Sequence, residues 1–125
     1  GHPGGAAAAI ACLAETERLK VNENAAARGE ELYNGLSEFH DRHEIVGDVR
    51  GGHGLMTAIE LVGDRKTKAP IGKDVAARVQ DLAYRAGVIV RISGPNIILS
   101  PPLILSKADA AMIVSTLDDA LEAAV

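Results

Sequence analysis

Residues 88–103, VIVRISGPNIILSPPL, decide the fold of this chain. Three β-branched residues open the stretch, the turn-forming residues Ser, Gly, Pro and Asn follow at 93–96, and a second apolar run covers 97–99. The pattern predicts a strand, a tight loop and a returning strand. Pro101 and Pro102 then end the strand ladder, because proline has no backbone N–H to donate to it.

One charged side chain, Arg91, interrupts the first predicted strand. Side chains alternate between the two faces of a strand, so Arg91 shares a face with Ile89. The opposite face carries Val88, Val90 and Ile92. Two interpretations of Arg91 follow from this pattern. It is either a strand-end arginine that reaches water or a surface carboxylate, or an anchor that binds a ligand carboxylate through its guanidinium fork.

Length and composition predict one soluble domain. A chain of 125 residues with 47% hydrophobic content can bury one ordinary core. The formal net charge of −4 and the scattered Lys and Arg give no basic stripe, so we expect no nucleic-acid partner. No apolar run reaches the roughly 20 residues that cross a bilayer, so we expect no membrane partner. The lone cysteine, Cys12, is expected to pack as a small apolar residue and fits a reducing, cytoplasmic location.

Helical spacing and strand alternation predict the order of the elements. A helix over residues 6–14 is apolar on every side, so this domain or a missing partner must cover it. Its first N–H groups form either an anion site or an ordinary capped helix start. Capping residues mark the other helices: Asn22 or Asn24 for the second, Asp74 and Gly87 for the third, and Ser106 with Asp109 for the last.

Strands are predicted at residues 45–50 and 55–61, in addition to the two in the opening stretch. The order is then helix, helix, strand, strand, helix, strand, strand, helix. Short connections favour an α/β fold, a two-layer sandwich in which helices pack on one face of a small, mainly antiparallel sheet. The apolar N-terminal helix precedes this sandwich.

Two segments suggest functions that their spacing does not support, and a third is a polar loop. Residues 51–54, Gly-Gly-His-Gly, precede a strand and not a helix, which favours turns with positive φ over a phosphate loop. His40 and His43 lack a second ligand cluster, so we predict a solvated helix end and no metal site. The polar loop at 63–72 is expected to be exposed to solvent.

Three motifs, taken in order, resemble the C-terminal part of class III aminotransferases, the pyridoxal-phosphate (PLP) enzymes of fold type I that include the ω-transaminases. The motifs are Gly1-His2-Pro3 before the alanine helix, VRGGHGLM at 49–56 before a strand, and Arg91 with Gly94 and SPPL at 100–103. The resemblance implies transfer of an amino group between an amine or amino acid and a keto acid or aldehyde. Aminomutases and decarboxylases of the same architecture stay open as alternatives.

The resemblance also implies that no catalytic residue lies in this chain. In the family, the Schiff-base lysine lies upstream of the Gly-His-Pro motif. None of the lysines present matches its motif: Lys20, Lys66, Lys68, Lys73 and Lys107. We therefore expect the fragment to be inactive alone and to bind no cofactor by itself. Residues 1–21 are expected to link to a missing large PLP-binding domain, and residues 22–125 to form the small domain of a homodimer.

Two site assignments follow from the resemblance. Arg91 resembles the arginine that receives the substrate carboxylate, and Gly1 and His2 are expected to neighbour the cofactor phosphate. Two functions of another class stay open beside the enzyme. The chain is then either a non-catalytic α/β module that binds a small carboxylate near Arg91, or a dimerisation module that uses the helix at 6–14.

Overall fold

The computed structural model describes residues 1–72 and 74–125. Within these ranges the helices are α1 (Pro3–Arg18), α2 (Val21–Ser37), α3 (Phe39–Arg42), α4 (Val75–Arg85) and α5 (Lys107–Ala123). The strands are β1 (Val46–Arg50), β2 (Thr57–Asp64), β3 (Ala69–Pro70), β4 (Arg91–Ser93) and β5 (Asn96–Leu99). The predicted order of long helices and strands is confirmed, and the short α3 and β3 are additions to it.

The strands form one antiparallel sheet with the order β1-β2-β5-β4, and β3 pairs with the free end of β2. Alternation along β2 buries Thr57, Ile59 and Leu61 on one face. Helices α2, α4 and α5 supply the other half of the core through the stripes that end in Leu36, Ala83 and Leu121. The predicted sandwich of helices on a small antiparallel sheet is therefore confirmed.

A direct contact between two backbones joins α2 to the loop before β2. A Cβ added at Gly29 in the middle of α2 would lie 2.0 Å from the carbonyl oxygen of Gly54. Gly54 (φ 71°) and Gly52 (φ 87°) both adopt the left-handed region that favours glycine, as predicted for this cluster. The glycines at 51–54 thus shape a bend that lets the helix approach the sheet closely.

The hairpin of β4 and β5 keeps the predicted faces of its side chains, but its first strand begins later than predicted. Gly87 (φ 93°) ends α4, and the N–H of Val88 donates to the carbonyl of Ala83 at 2.9 Å. The strand ladder begins only at Arg91. Val88 and Val90 are nevertheless buried while Ile89 is 82% exposed, so the alternation extends through the residues that precede the ladder.

The predicted cap of α2 is wrong. The helix begins at Val21, with Lys20 in the left-handed conformation (φ 49°) before it. Asn24 instead bonds across the molecule, because its Nδ2 donates to the carbonyls of Leu103 (2.8 Å) and Leu105 (3.0 Å). The other caps lie where they were predicted. Ser106 and Asp109 form a capping box, and Asp74 is the N-cap residue of α4, although its side chain makes no capping hydrogen bond to the described residues.

Two segments predicted to be solvated are exposed at most of their positions, but each has a side chain that bonds to the rest of the domain. The His43 side chain is 10% exposed, and its Nε2 lies 2.7 Å from Oδ1 of Asp118 on α5. In the polar loop, Arg65 Nε donates to the carbonyl of Val46 at 3.0 Å, and its guanidinium also bonds the carbonyls of His40 and His43. Cross-element hydrogen bonds of this kind leave no periodic signal in the sequence.

Helix α1 is exposed along its whole length. Its large apolar side chains Ile10 and Leu13 are 69% and 66% exposed. Cys12 is also exposed, so the prediction that it packs as a small apolar residue is wrong. The sequence predicts that this domain or a missing partner covers α1, and the described part of the domain does not cover it. No helix within the described ranges is long and apolar enough to pass through a bilayer.

We expect Gly29→Ala to destabilise the fold. Alanine favours a helix over glycine by about 1 kcal/mol, but its Cβ would overlap the Gly54 carbonyl, and an overpacked contact costs about 1–3 kcal/mol or more. The clash therefore outweighs the helix propensity. Urea unfolding measures the difference, with the exposed Asn34→Ala on the same helix as control. A Gly29→Ala protein as stable as that control would contradict the close approach.

We expect the carboxyl of Asp64 to titrate below its ordinary range. The backbone N–H of Thr67, and then its hydroxyl, donate to this carboxylate at 2.6 and 2.8 Å and lower its pKa. A lowered pKa favours the folded state above the pKa of the unfolded chain, and this contribution disappears as the pH falls through the folded pKa. Carbon-detected NMR titration of Thr67→Val, which keeps only the backbone donor, should give a higher Asp64 pKa than the parent. Equal values would exclude the hydroxyl as a cause.

Candidate substrate-binding site

The strand register arranges two rows of side chains across the open face of the sheet, opposite the helices. Residues paired directly across strands point to the same face. One row contains Arg91, Ile98, Ala58 and Arg50. The next row contains Ser93, Asn96, Glu60 and Asp48. The first row therefore carries an arginine at each end with two apolar side chains between them.

The guanidinium of Arg50 is neutralised within the sheet. Its Nη1 lies 3.1 Å from Oδ2 of Asp48 and 3.6 Å from Oε2 of Glu60, both in the neighbouring row. Its Nη2 donates to Oδ1 of Asn96 at 3.1 Å. Two carboxylates and one amide thus occupy this side chain, so Arg50 is a structural arginine of the open face.

Arg91 differs from Arg50 in every one of these respects. It is exposed at the start of β4, the edge strand of the sheet. Among the described residues, no carboxylate lies within ion-pair distance of its guanidinium. The first interpretation drawn from the sequence allowed water or a surface carboxylate as the partner of Arg91, and its exposure agrees with water. The second interpretation, an anchor for a ligand carboxylate, stays a prediction.

A cavity of about 760 Å³ opens beside Arg91, between the hairpin, the start of α5 and the segment after β5. Its walls are mainly aliphatic, and its polar side chains include Arg91, Gln80 and Asp109. The volume falls within the range of small-molecule sites, which combine apolar walls with a few polar groups that fix orientation. The arrangement suits a small organic molecule with a negatively charged end.

The two predicted phosphate neighbours lie elsewhere in the molecule. Gly1 precedes α1, and His2 caps this helix, because its Nδ1 accepts the N–H of Gly5 at 3.1 Å. Helix α1 is exposed, and none of the described residues that line the Arg91 cavity comes from it. Within this chain the structure therefore does not bring Gly1 and His2 together with Arg91.

Two side chains that hold β4 were not predicted from the sequence. Gln80 of α4 donates from Nε2 to the carbonyl of Val90 at 2.8 Å. Asn96 donates from Nδ2 to the carbonyl of Ser93 at 3.0 Å. The turn at 93–96 was a signal for Asn96, whereas nothing in the sequence pairs Gln80 with a residue ten positions later.

The remaining reactive groups predicted from the sequence are the possible metal ligands and the lysines. Among the described residues, His, Cys, Asp and Glu form no group of three that could hold a metal ion. The described lysines are all exposed: Lys20, Lys66, Lys68 and Lys107. Lys73 lies outside the described residues. No lysine is among the described residues around the Arg91 cavity.

Known proteins of one family match this chain. The family model for aminotransferase class-III matches residues 1–121. A taurine–pyruvate aminotransferase of Bilophila wadsworthia is 39% identical over 127 residues, which cover 96% of this chain and 28% of that protein. A leucine/methionine racemase of Thermococcus litoralis is 34% identical over 123 residues, covering 98% of this chain and 26% of the racemase.

The fold of this chain also matches that of solved transaminase structures. An amine transaminase from an uncultivated Pseudomonas species, in a PLP-bound form, superposes with a TM-score of 0.93 and 41% identity. The match covers 99% of this chain and 28% of the transaminase. The chain thus spans little more than a quarter of the length of these relatives. Because the family model covers nearly all of its residues and the fold agrees, this chain belongs to the class III aminotransferases.

Proposed function

We propose that this chain is the substrate-carboxylate-binding part of a PLP-dependent aminotransferase, which transfers an amino group between an amine or amino acid and a keto acid or aldehyde. The observation that carries the proposal is Arg91. Its guanidinium is exposed beside an apolar cavity of about 760 Å³, and no described carboxylate neutralises it. Family membership and the names of the relatives support the reaction class.

The chemistry of Arg91 is binding and orientation. A guanidinium presents two parallel N–H donors to the two oxygens of a carboxylate, which fixes both the distance and the plane of the bound group. The aliphatic walls beside it strengthen this attraction when a substrate fills the cavity and displaces water from it. Arg91 lies on an edge strand and is free to turn toward solvent, so a substrate without a carboxylate can enter the same cavity.

The described residues fit only a supporting role toward PLP. When bound, PLP acts as an electron sink for the substrate carbon and needs a lysine amine to hold it. The described lysines lie on the surface, and Lys68 already donates to the carbonyl of Gly47 at 3.2 Å. At the start of α1, the N–H groups of Gly5 and Ala6 already bond to His2. We therefore assign the proton transfers to residues outside this chain and propose Gly1 and His2 only as neighbours of the phosphate.

The assembly is also part of the proposal. Residues 1–21 are proposed to connect to a large PLP-binding domain, with residues 22–125 as the small domain of a homodimer. The exposed apolar side chains of Ile10 and Leu13 on α1 support a covering partner. The exposed thiol of Cys12 is consistent with a reducing, cytoplasmic compartment.

Arg91→Ala in the full-length protein should lower kcat/KM for L-alanine and pyruvate by the equivalent of about 2–4 kcal/mol, the scale of a lost charge pair. Benzylamine, which has no carboxylate, should react as before. Steady-state kinetics with each amine and each keto acid measure the difference. Equal losses for benzylamine and L-alanine would show that Arg91 is structural.

Unfolding of the same variants supplies the control. Arg91→Ala should leave the free energy of unfolding within about 0.5 kcal/mol of the parent, as for an exposed side chain. Arg65→Ala should lower it by about 1–3 kcal/mol, because it removes the donors of three carbonyls, those of Val46, His40 and His43.

Racemisation is the second candidate reaction, as the name of the Thermococcus relative suggests. If the full-length protein interconverts L- and D-amino acids without a keto acid, the reaction is racemisation.

A further inference from the structure

The segment just before Arg91 is weakly held by the sheet. Residues 88–90 leave α4 after the left-handed Gly87 and do not join the strand ladder, which begins at Arg91. Strand β4 itself has three residues and pairs on one side only, with β5. The position of residues 88–90, which lead into Arg91, therefore depends on contacts other than strand pairing.

Two cavities border this segment. One has a volume of about 760 Å³ and the other about 240 Å³. Three residues line both cavities, namely Gln80, Ile89 and Val90. The buried side chains of Val88 and Val90 fix which way the segment faces.

Gln80 connects helix α4 to this segment. It is half-buried between the two cavities, and its Nε2 donates to the carbonyl of Val90, the residue before Arg91, at 2.8 Å. Its own helix is firmly placed, since its neighbours Val79 and Ala83 are fully buried in the core. The hydrogen bond thus transfers the position of α4 to the backbone that carries Arg91.

The other end of β4 is held independently. Asn96 donates to the carbonyl of Ser93 at 3.0 Å, and Arg50 in turn donates to Asn96 at 3.1 Å. Arg91 lies between these two anchored carbonyls. The anchor at Ser93 belongs to the sheet, whereas the anchor at Val90 comes from a helix through one side chain.

We propose that Gln80 is a positioning residue: through the carbonyl of Val90 it fixes the Arg91 guanidinium at the cavity rim, and so determines how well a carboxylate-bearing substrate is distinguished from one without a carboxylate. The proposal rests on the proposed function of Arg91. A bidentate contact is sensitive to displacement, because a shift of about 1 Å is enough to misalign a bound substrate.

The test compares Gln80→Met with Asp81→Asn in the full-length protein. Methionine has a similar length and no donor, and Asp81 is an exposed neighbour on the same helix. Gln80→Met should raise KM for pyruvate about 3- to 10-fold, the size of one neutral hydrogen bond. It should leave kcat with pyruvate and the KM for benzylamine within about twofold of the parent. Asp81→Asn should match the parent throughout.

Hydrogen exchange gives a second readout that needs no activity. Amides of residues 88–93 should exchange faster in Gln80→Met than in the parent and in Asp81→Asn, while the core strand β2 stays protected. Parallel increases of KM for pyruvate and benzylamine, or unchanged exchange at 88–93, would overturn the proposal. A parent that transfers no amino group to pyruvate would refute the proposed function instead, and the exchange data would still decide whether Gln80 holds the segment.

Discussion

The pairing of β2, β5 and β4 in fixed antiparallel register is the constraint on which the site depends. Ile59, Ile97 and Ile92 lie opposite one another on the core side, so their neighbours in sequence must lie on the open side. The register that buries isoleucines therefore also aligns Arg91 with Ile98 and Ala58. A shift of one residue would bring the guanidinium into the core, so the hydrophobic free energy of the core also holds the arginine outside.

Three arginines show how one side chain takes different roles in one small domain. Arg65 folds back onto backbone carbonyls and ties the β2–β3 turn to α3 and β1. Arg50 lies among Asp48, Glu60 and Asn96 on the open face. Among the described residues, Arg91 makes no ion pair and no side-chain hydrogen bond, and it borders a mainly aliphatic cavity. These two features together are the basis of the proposal that Arg91 binds a ligand carboxylate.

The sequence predicted the features that depend on local chemistry. Alternation of burial at Val88, Ile89 and Val90, the positive φ of Gly87 and the capping box at Ser106 all follow from residue types at short spacing. The failures share a different cause. Asn24 is not a helix cap and His43 is not fully solvated. Each bonds to a group about 75 residues or more away along the chain, which local sequence patterns do not reveal. The motif around position 91 predicts a ligand role for Arg91, whereas no local signal predicts the hydrogen bond from Gln80 to the carbonyl of Val90.

The hydrogen bonds of Asn24 connect two parts of the molecule that lie 79 and 81 residues apart in the sequence. Asn24 holds residues 103–105, and Ile104 and Leu105 form part of the cavity wall beside Arg91. The same asparagine lies one helical turn after Lys20, the left-handed residue between α1 and α2. The junction of the two helices is thus joined through Asn24 to the wall of the cavity beside Arg91, so we expect a change at this junction to alter the shape of that cavity.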